Sequence, residues 1–92
     1  MLHTLKSWPE YFMATDNGSK TFEVRRNDRD FAVGDVLELR EYNPKTFCYT
    51  GRVIYRQITF VLPGGGWGIA EGVVVLGVVR MIGVDLDSLR YA

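Results

Sequence analysis

The sequence is short of the residues that cross-link or metallate a small domain. Cys48 is the only cysteine and His3 the only histidine among 92 residues. An intramolecular disulfide is therefore excluded, and one cysteine with one histidine cannot supply the ligands of a structural zinc site. A reducing cytoplasm is the simplest setting for such a chain, and no metal or other cofactor is expected.

Net charge and long apolar runs are also missing. Eleven basic and eleven acidic residues cancel, so any binding of a polyanion must come from a local patch rather than from the whole protein. Residues 1–8 have no apolar signal-peptide core, and the longest apolar run, 73–79, is far too short to span a bilayer. The sequence predicts a cytoplasmic domain with no membrane partner.

Local patterns predict one helix and about five short strands around a single core. The composition supplies that core, with a hydrophobic share of 47% that includes five Phe, five Tyr and two Trp. Pro9 suits the first turn of a helix and Asn17-Gly18 provides a left-handed stop, so we expect the helix within 9–17. Strands are predicted near 3–6, 21–26, 36–42, 47–60 and 73–81. The last is apolar on both faces, which predicts a position in the middle of the sheet.

The strand near 21–26 shows a short alternation of apolar and charged residues. Phe22 and Val24 point one way, while Glu23 and Arg25 point the other. Because the apolar face of a strand normally packs inward, we expect Phe22 and Val24 to join Phe31 in the core. Glu23 is then expected on the opposite face, where its replacement would leave the protein folded.

The segment 18–31 carries more charge than folding requires. Lys20 and Glu23 lie three residues apart across a loop-to-strand junction, close enough to pair if the lysine curls back. In a cleft, this ammonium and carboxylate could transfer a proton or hold the polar edge of a base. The plainer alternative is a surface ion pair that contributes well under ~1 kcal/mol.

Arg25, Asn27 and Arg29 follow in the same segment. Guanidinium groups match phosphate bidentately, so these residues could bind a phosphate or a base edge. They could equally form a network in which Asp28 and Asp30 tie down the loop. A mixed arrangement is expected, in which Asp28 holds the loop and Arg25 faces the ligand.

The two tryptophans are candidate stacking platforms for a nucleobase. Trp8, beside Pro9, is more readily explained by packing in the core or under a lid. Trp67 lies among the glycines of 64–68, so we expect it to be exposed on an open loop or lid. This loop is not a phosphate-binding P-loop, because no lysine follows it and no helix is evident.

Many of these residues belong to one longer pattern. It comprises Pro9-Glu10-Tyr11-Phe12, Gly18, Lys20-Thr21-Phe22-Glu23, Arg25, Asn27-Asp28-Arg29, Phe31 and Val33-Gly34-Asp35. The pattern resembles the ASCH branch of the PUA-like superfamily and, more closely, a small family of unknown function in bacteria and their phages. The resemblance covers residues 2 to about 79 and indicates a domain over 1–82 with a C-terminal tail over 83–92.

The resemblance implies an α+β, mainly β fold. The expected architecture is a small β-barrel of about five to six strands, with one main helix closing one end and a cleft between barrel and helix. Such domains are thought to bind RNA or nucleotides, and a few relatives hydrolyse an acetylated cytidine or cut RNA. The first strand borders the cleft in this superfamily, which adds His3 and Lys6 as candidate ligand-binding residues.

One position departs from the pattern of the amide-hydrolysing relatives. Those proteins have a threonine nucleophile three residues after the lysine, where this chain has Glu23. A carboxylate cannot replace an alkoxide directly, although it could activate a water molecule. Thr21 carries a hydroxyl beside Lys20, but successive strand residues face opposite ways, which argues against a simple substitution.

These observations predict a PUA-like domain that binds RNA or a nucleotide-like ligand. The residues expected to contact the ligand are Lys6, Lys20, Glu23, Arg25 and Asn27 in the cleft, with Arg29, His3 and Trp67 as further candidates. One alternative is a small hydrolase acting on a modified nucleoside or RNA, with Lys20 and Glu23 as its catalytic pair. Another is a phage-type protein that binds a host protein.

Overall fold

The protein is a mainly β structure with five strands and one short helix. A computed structural model describes residues 1–81. Its elements are β1 (Leu2–Ser7), α1 (Pro9–Asp16), β2 (Phe22–Arg26), β3 (Val36–Asn43), β4 (Cys48–Pro63) and β5 (Val73–Arg80). The predicted helix and strands are confirmed to within a few residues at each end. The predicted tail over 83–92 and the domain boundary at 82 lie outside the described residues.

The strands form one curled sheet, in the order β1-β3-β4-β5-β2. β1 pairs with β3 in parallel, and the other neighbouring strands are antiparallel. β5 is an interior strand, paired on both sides, although the central strand is β4. This order leaves β1 and β2 as the two edges of a half-barrel, facing each other across a gap that we call the seam.

Two arginine side chains bridge the seam. Arg25 Nη2 donates to the Lys6 carbonyl oxygen at 2.8 Å, and Arg29 Nη1 donates to the Thr4 carbonyl oxygen at 2.7 Å. Both carbonyls belong to the edge of β1 that faces away from β3, where a further strand would otherwise pair. The guanidinium groups therefore satisfy backbone acceptors that an open sheet leaves without partners.

The hydrophobic core fills the concave side of the half-barrel. Most of its side chains come from β3 and β5, whose inward positions alternate with outward ones. The buried cluster consists of Leu5, Phe31, Leu37, Leu39, Ile58, Val74, Leu76 and Val78. The predicted core position of Phe31 is confirmed.

The prediction that Phe22 and Val24 belong to the core is wrong. Phe22 is 45% exposed and Val24 is 55% exposed, whereas Glu23 is only 2% exposed. Residues directly opposite each other in an antiparallel pair share one face of the sheet, and Glu23 is opposite the fully buried Leu76. Glu23 faces inward because β2 is an edge strand at the seam, where Arg25 and a neighbouring lysine supply its partners.

Helix α1 is delimited by local sequence and anchored by tertiary contacts. Pro9 occupies its first turn, and Gly18 adopts a φ of +87° after its last turn, as predicted. Arg56 Nη2 donates to the Thr15 carbonyl oxygen at 3.0 Å, and Arg80 Nη2 donates to the Asp16 carbonyl oxygen at 2.8 Å. Two cations from the sheet thus bind the free carbonyls at the negative end of the helix.

The pKa of the Arg56 guanidinium is lowered. Its burial disfavours the charged form, and the positive charge of Arg80 acts in the same direction, while Asp16 opposes both. An arginine nevertheless remains protonated in proteins. Arg56 therefore acts as a buried charged donor that fixes α1 against the sheet.

The inverted orientation of β2 leads to a stability prediction with a matched pair of substitutions. Val74→Ala removes two buried methyl groups and is expected to lower the free energy of unfolding by ~2 kcal/mol. Val24→Ala removes the same groups from an exposed position and is expected to cost less than ~0.5 kcal/mol. Urea unfolding of both variants measures the difference. Equal losses would contradict the outward position of Val24.

Candidate functional site

A cleft opens beside the seam, between the end of β1, the start of α1 and strand β2. We call it the seam cleft; its volume is about 520 Å³. One part of its lining is aromatic or apolar and the other part is charged. The lining residues are Lys6, Ser7, Trp8, Tyr11, Lys20, Phe22, Glu23, Val24 and Arg25.

The aromatic part of the seam cleft is open to solvent. Trp8 is 50% exposed, and its ring lies stacked near Tyr11, with centroids 6.5 Å apart and planes at 25°. Phe22 and Val24 come from the outward face of β2. The apolar residues that alternation assigned to the core therefore form a wall of the cleft, which explains why they stay exposed in a folded protein.

The charged part centres on the Glu23 carboxylate. Lys20 Nζ forms an ion pair with Glu23 Oε2 and also donates to the Phe22 carbonyl oxygen at 2.7 Å. Arg25 donates to Glu23 Oε1 from Nε at 3.1 Å and from Nη2 at 2.8 Å. Both carboxylate oxygens thus accept charge-assisted hydrogen bonds, which compensates for the burial of a charged group.

Some donors of these cations remain available on the cleft side. Lys20 Nζ carries three N–H groups, and the structure gives two of them acceptors within residues 1–81. Arg25 Nη1 makes no hydrogen bond within the same range, since the bonds of this side chain come from Nε and Nη2. Two residues that line the cleft with its aromatic rings therefore keep N–H donors that have no acceptor in this range.

Four of the predicted site residues meet at the seam cleft: Lys6, Lys20, Glu23 and Arg25. Lys6 Nζ also lies over the ring of Tyr42, 4.4 Å from its centroid. Sequence reasoning missed Tyr11, Phe22 and Val24 as cleft residues, because a β-strand pattern does not tell an apolar cleft wall from an apolar core. Trp8 lines the cleft rather than packing in the core.

The other predicted site residues lie outside the seam cleft. Trp67 is 91% exposed on the 64–72 loop. Asn27 is an exposed residue after β2 whose backbone N–H donates to the Gly72 carbonyl oxygen at 2.9 Å. Arg29 binds the edge of β1, and its Nε lies 3.7 Å from the Asp28 carboxylate.

His3 faces away from the cleft and contributes to the interior. Its ring packs edge-on against Phe31 at 4.7 Å, and its Nε2 lies 2.8 Å from Asp35 Oδ2. Asp35 also accepts hydrogen bonds from the Met1 ammonium at 3.1 Å and from the Ala32 N–H at 3.1 Å. Burial by itself would raise the pKa of Asp35, but these hydrogen bonds outweigh it and the pKa is lowered.

The fold and the cleft define a small half-barrel protein with a candidate ligand site. Residues 2–78 match the family described as "Domain of unknown function (DUF3850)", and the chain belongs to that family. It is 35% identical over 66 residues to a protein of Escherichia phage P2 described as "Uncharacterized 12.9 kDa protein in GpA 3'region". The alignment covers 72% of this chain and 59% of the phage protein, so the chain spans less than two thirds of that relative.

These matches confirm the predicted resemblance to a small family of unknown function with a phage member. Within residues 1–81, no helix has the length and apolar character needed to cross a bilayer. In the same range, no three side chains of His, Cys, Asp or Glu lie together as a metal site would require.

The sequence predicts that the protein stays folded when Glu23 is replaced. Because Glu23 is buried in ion pairs with Lys20 and Arg25, we expect the replacement to cost stability. Glu23→Gln is expected to lower the free energy of unfolding by about 1–3 kcal/mol, because Lys20 and Arg25 lose a charged acceptor. Glu71→Gln is the matched control, since Glu71 is exposed and makes no hydrogen bond or ion pair within residues 1–81. Chemical denaturation at neutral pH measures both, and equal stability of the two variants would contradict the role of Glu23.

The lowered pKa of Asp35 predicts a stability difference at acidic pH. A carboxyl whose folded pKa is depressed stabilises the fold above its unfolded pKa and loses that contribution as the pH falls through the folded value. Comparison of the wild type with Asp35→Asn should therefore show the full difference at about pH 5. The difference should begin to shrink as the pH falls below the ordinary value of 3.8 and should be lost as the pH falls through the lowered folded pKa. A difference independent of pH in this window would contradict the assignment.

Proposed function

We propose that the seam cleft binds a single unpaired nucleobase, presented by an RNA strand or a free nucleotide, and that the domain is a PUA-like module of the ASCH type. The observation that carries the proposal is the combination in one cleft of exposed aromatic rings with the Lys20–Glu23–Arg25 cluster. The volume of about 520 Å³ falls within the range typical of small-ligand sites.

The aromatic wall suits the flat face of a base. Proteins that bind single-stranded nucleic acid stack bases on exposed aromatic side chains, each of which contributes about 1–3 kcal/mol. Trp8, Tyr11 and Phe22 all line the cleft, and Trp8 and Phe22 are about half exposed. A base that covers these rings would remove apolar surface from water without rearrangement of the core.

The charged cluster suits the polar edge of a base. The unused N–H groups of Lys20 and Arg25 can donate to ring nitrogen or carbonyl acceptors, whereas Glu23 holds both cations in position. The zero net charge of the chain fits recognition of one base better than tight binding along a phosphate backbone. The meeting of Lys20, Glu23 and Arg25 at the cleft also supports the ASCH assignment, since these residues carry the resemblance.

The hydrolase alternative receives less support from the same geometry. A general base needs a carboxylate oxygen free to accept a proton from water or substrate. Both oxygens of Glu23 already accept hydrogen bonds from cations. This arrangement favours an orienting role for Glu23 over catalysis. The phage relative is described only as uncharacterized, so it does not bear on the host-protein alternative.

The two tryptophans allow a direct fluorescence test. The Trp67→Phe variant keeps Trp8 in the cleft as its only tryptophan, and Trp8→Phe keeps Trp67 on the exposed loop. Titration with ribonucleosides and a short single-stranded RNA is expected to quench the first variant and to leave the second unchanged. Absence of quenching from Trp8, together with no binding by calorimetry, would refute the proposal.

Phe22→Ala tests the aromatic wall. It should weaken binding by about 1–3 kcal/mol because one stacking surface is lost, while Trp67→Ala should have no effect. Phe22 suits this test better than Arg25, because Arg25→Ala would also break the contacts with Glu23 and Lys6 and so lower stability. An unchanged affinity in the Phe22 variant would remove this ring from the site.

A further inference from the structure

A second cavity lies on the other side of Arg25. Its volume is about 190 Å³, and we call it the arginine cavity. Three of its lining residues are arginines and one is an aspartate, so its charged groups carry an excess of two positive charges. The lining residues are Leu5, Arg25, Arg26, Asp28, Arg29 and Phe31.

Folding does not account for all the positive charge in this cavity. Arg25 and Arg29 bridge the seam, which explains their position. The Arg26 side chain makes no hydrogen bond or ion pair within residues 1–81, and the residue is exposed. Arg26 thus lines the cavity together with two other arginines, and no contact of its side chain in the described part of the chain compensates its charge.

The cavity also retains the donors that an anion needs. Arg29 binds Thr4 through Nη1, and Arg25 uses Nε and Nη2, so further N–H groups of both residues remain available. Arg26 contributes all five of its N–H groups. Converging guanidinium groups bind the tetrahedral oxygens of phosphate through paired, charge-assisted hydrogen bonds. A neighbouring carboxylate, Asp28, moderates the positive field and is 3.7 Å from Arg29 Nε.

We propose that the arginine cavity binds a phosphate group of the same ligand whose base occupies the seam cleft. Arg25 lines both cavities, so the two lie on either side of one side chain along the seam. This inference rests on the proposed base-binding function and adds to it a second site, at which the phosphate of the nucleotide or RNA strand binds.

The test compares ligands that differ only in phosphate. Calorimetric titrations use the four ribonucleosides, their 5′- and 3′-monophosphates, and a short single-stranded RNA. The monophosphate that matches the cavity is expected to bind about tenfold or more tightly than its nucleoside, because its phosphate adds charged hydrogen bonds. The affinity for the monophosphate should fall with added salt, whereas the affinity for the nucleoside should not. Comparison of monophosphate with RNA distinguishes a free nucleotide from an RNA strand as the source of the phosphate.

Arg26→Gln provides the specific variant, since the Arg26 side chain has no hydrogen bond or ion pair within residues 1–81 that its loss would break. This variant should bind the monophosphate about tenfold more weakly and bind the nucleoside with unchanged affinity. Asp28→Asn removes a carboxylate that repels the phosphate, and it should raise the affinity for the monophosphate about two- to fivefold. Lys45→Gln is the control for loss of one positive charge, because Lys45 is exposed and lines neither cavity.

The outcomes separate this inference from the function on which it rests. If no nucleoside, nucleotide or RNA binds, the proposed base-binding function fails. If nucleosides bind and their monophosphates bind no more tightly, base binding stands and the arginine cavity is not a phosphate site. The inference is also overturned if Arg26→Gln and Lys45→Gln lower the affinity for the monophosphate equally, since the effect would then come from the net charge of the protein.

Discussion

Closure of an open sheet is the constraint on which this fold depends. β1 and β2 are the edges of the curled sheet, and unpaired backbone groups at an edge need partners or invite another chain. Arg25 and Arg29 reach across the seam and bind two carbonyl oxygens of β1. Within residues 1–81, the half-barrel is thus completed by guanidinium groups where a fully closed barrel would have strand pairing. The open backbone edge becomes a polar seam with space for a ligand.

The inward position of Glu23 follows from this closure of the sheet by arginine side chains. A guanidinium held at the inner margin of a sheet needs a counter-charge, and Glu23 supplies it from the next inward position of β2. Lys20 binds the second oxygen and ties the segment after α1 to the same carboxylate. Buried ion pairs often contribute little net stability, because desolvation offsets attraction, but loss of one partner is costly. The cluster therefore sets where β2 lies against β1.

The same side chains that close the sheet also shape the two cavities. Arg25 contacts the edge of β1, binds Glu23 and lines both cavities. Its contribution to folding and its role in the proposed binding cannot be separated by one substitution. Phe22 and Arg26 are different, since the Phe22 ring is an exposed cleft wall and the Arg26 side chain has no hydrogen bond or ion pair within residues 1–81. The half-exposed aromatic wall and the arginine side chain without a partner in this range are the two features on which the proposed ligand site rests.

Local chemistry determined most of the secondary structure, which is why it could be predicted. Pro9 and Gly18 delimit α1 through backbone dihedral preferences that operate without distant contacts. The apolar run of β5 likewise indicated a strand flanked on both sides. Part of the candidate site followed from the sequence as well, since Lys6, Lys20, Glu23 and Arg25 line one cleft.

Only the tertiary structure decided which face of β2 is buried and which candidates share a cleft. Alternation at a period of two distinguishes two faces, but which of them turns inward depends on neighbouring strands. At the seam, Glu23 could turn inward because Lys20 and Arg25 pair with its carboxylate there, and Phe22 was left outside. For the same reason His3 lies against Phe31 and Asp35, and Trp67 lies outside both cavities. A sequence records which side chains are near in the chain, whereas burial and shared clefts depend on which strands curl towards each other.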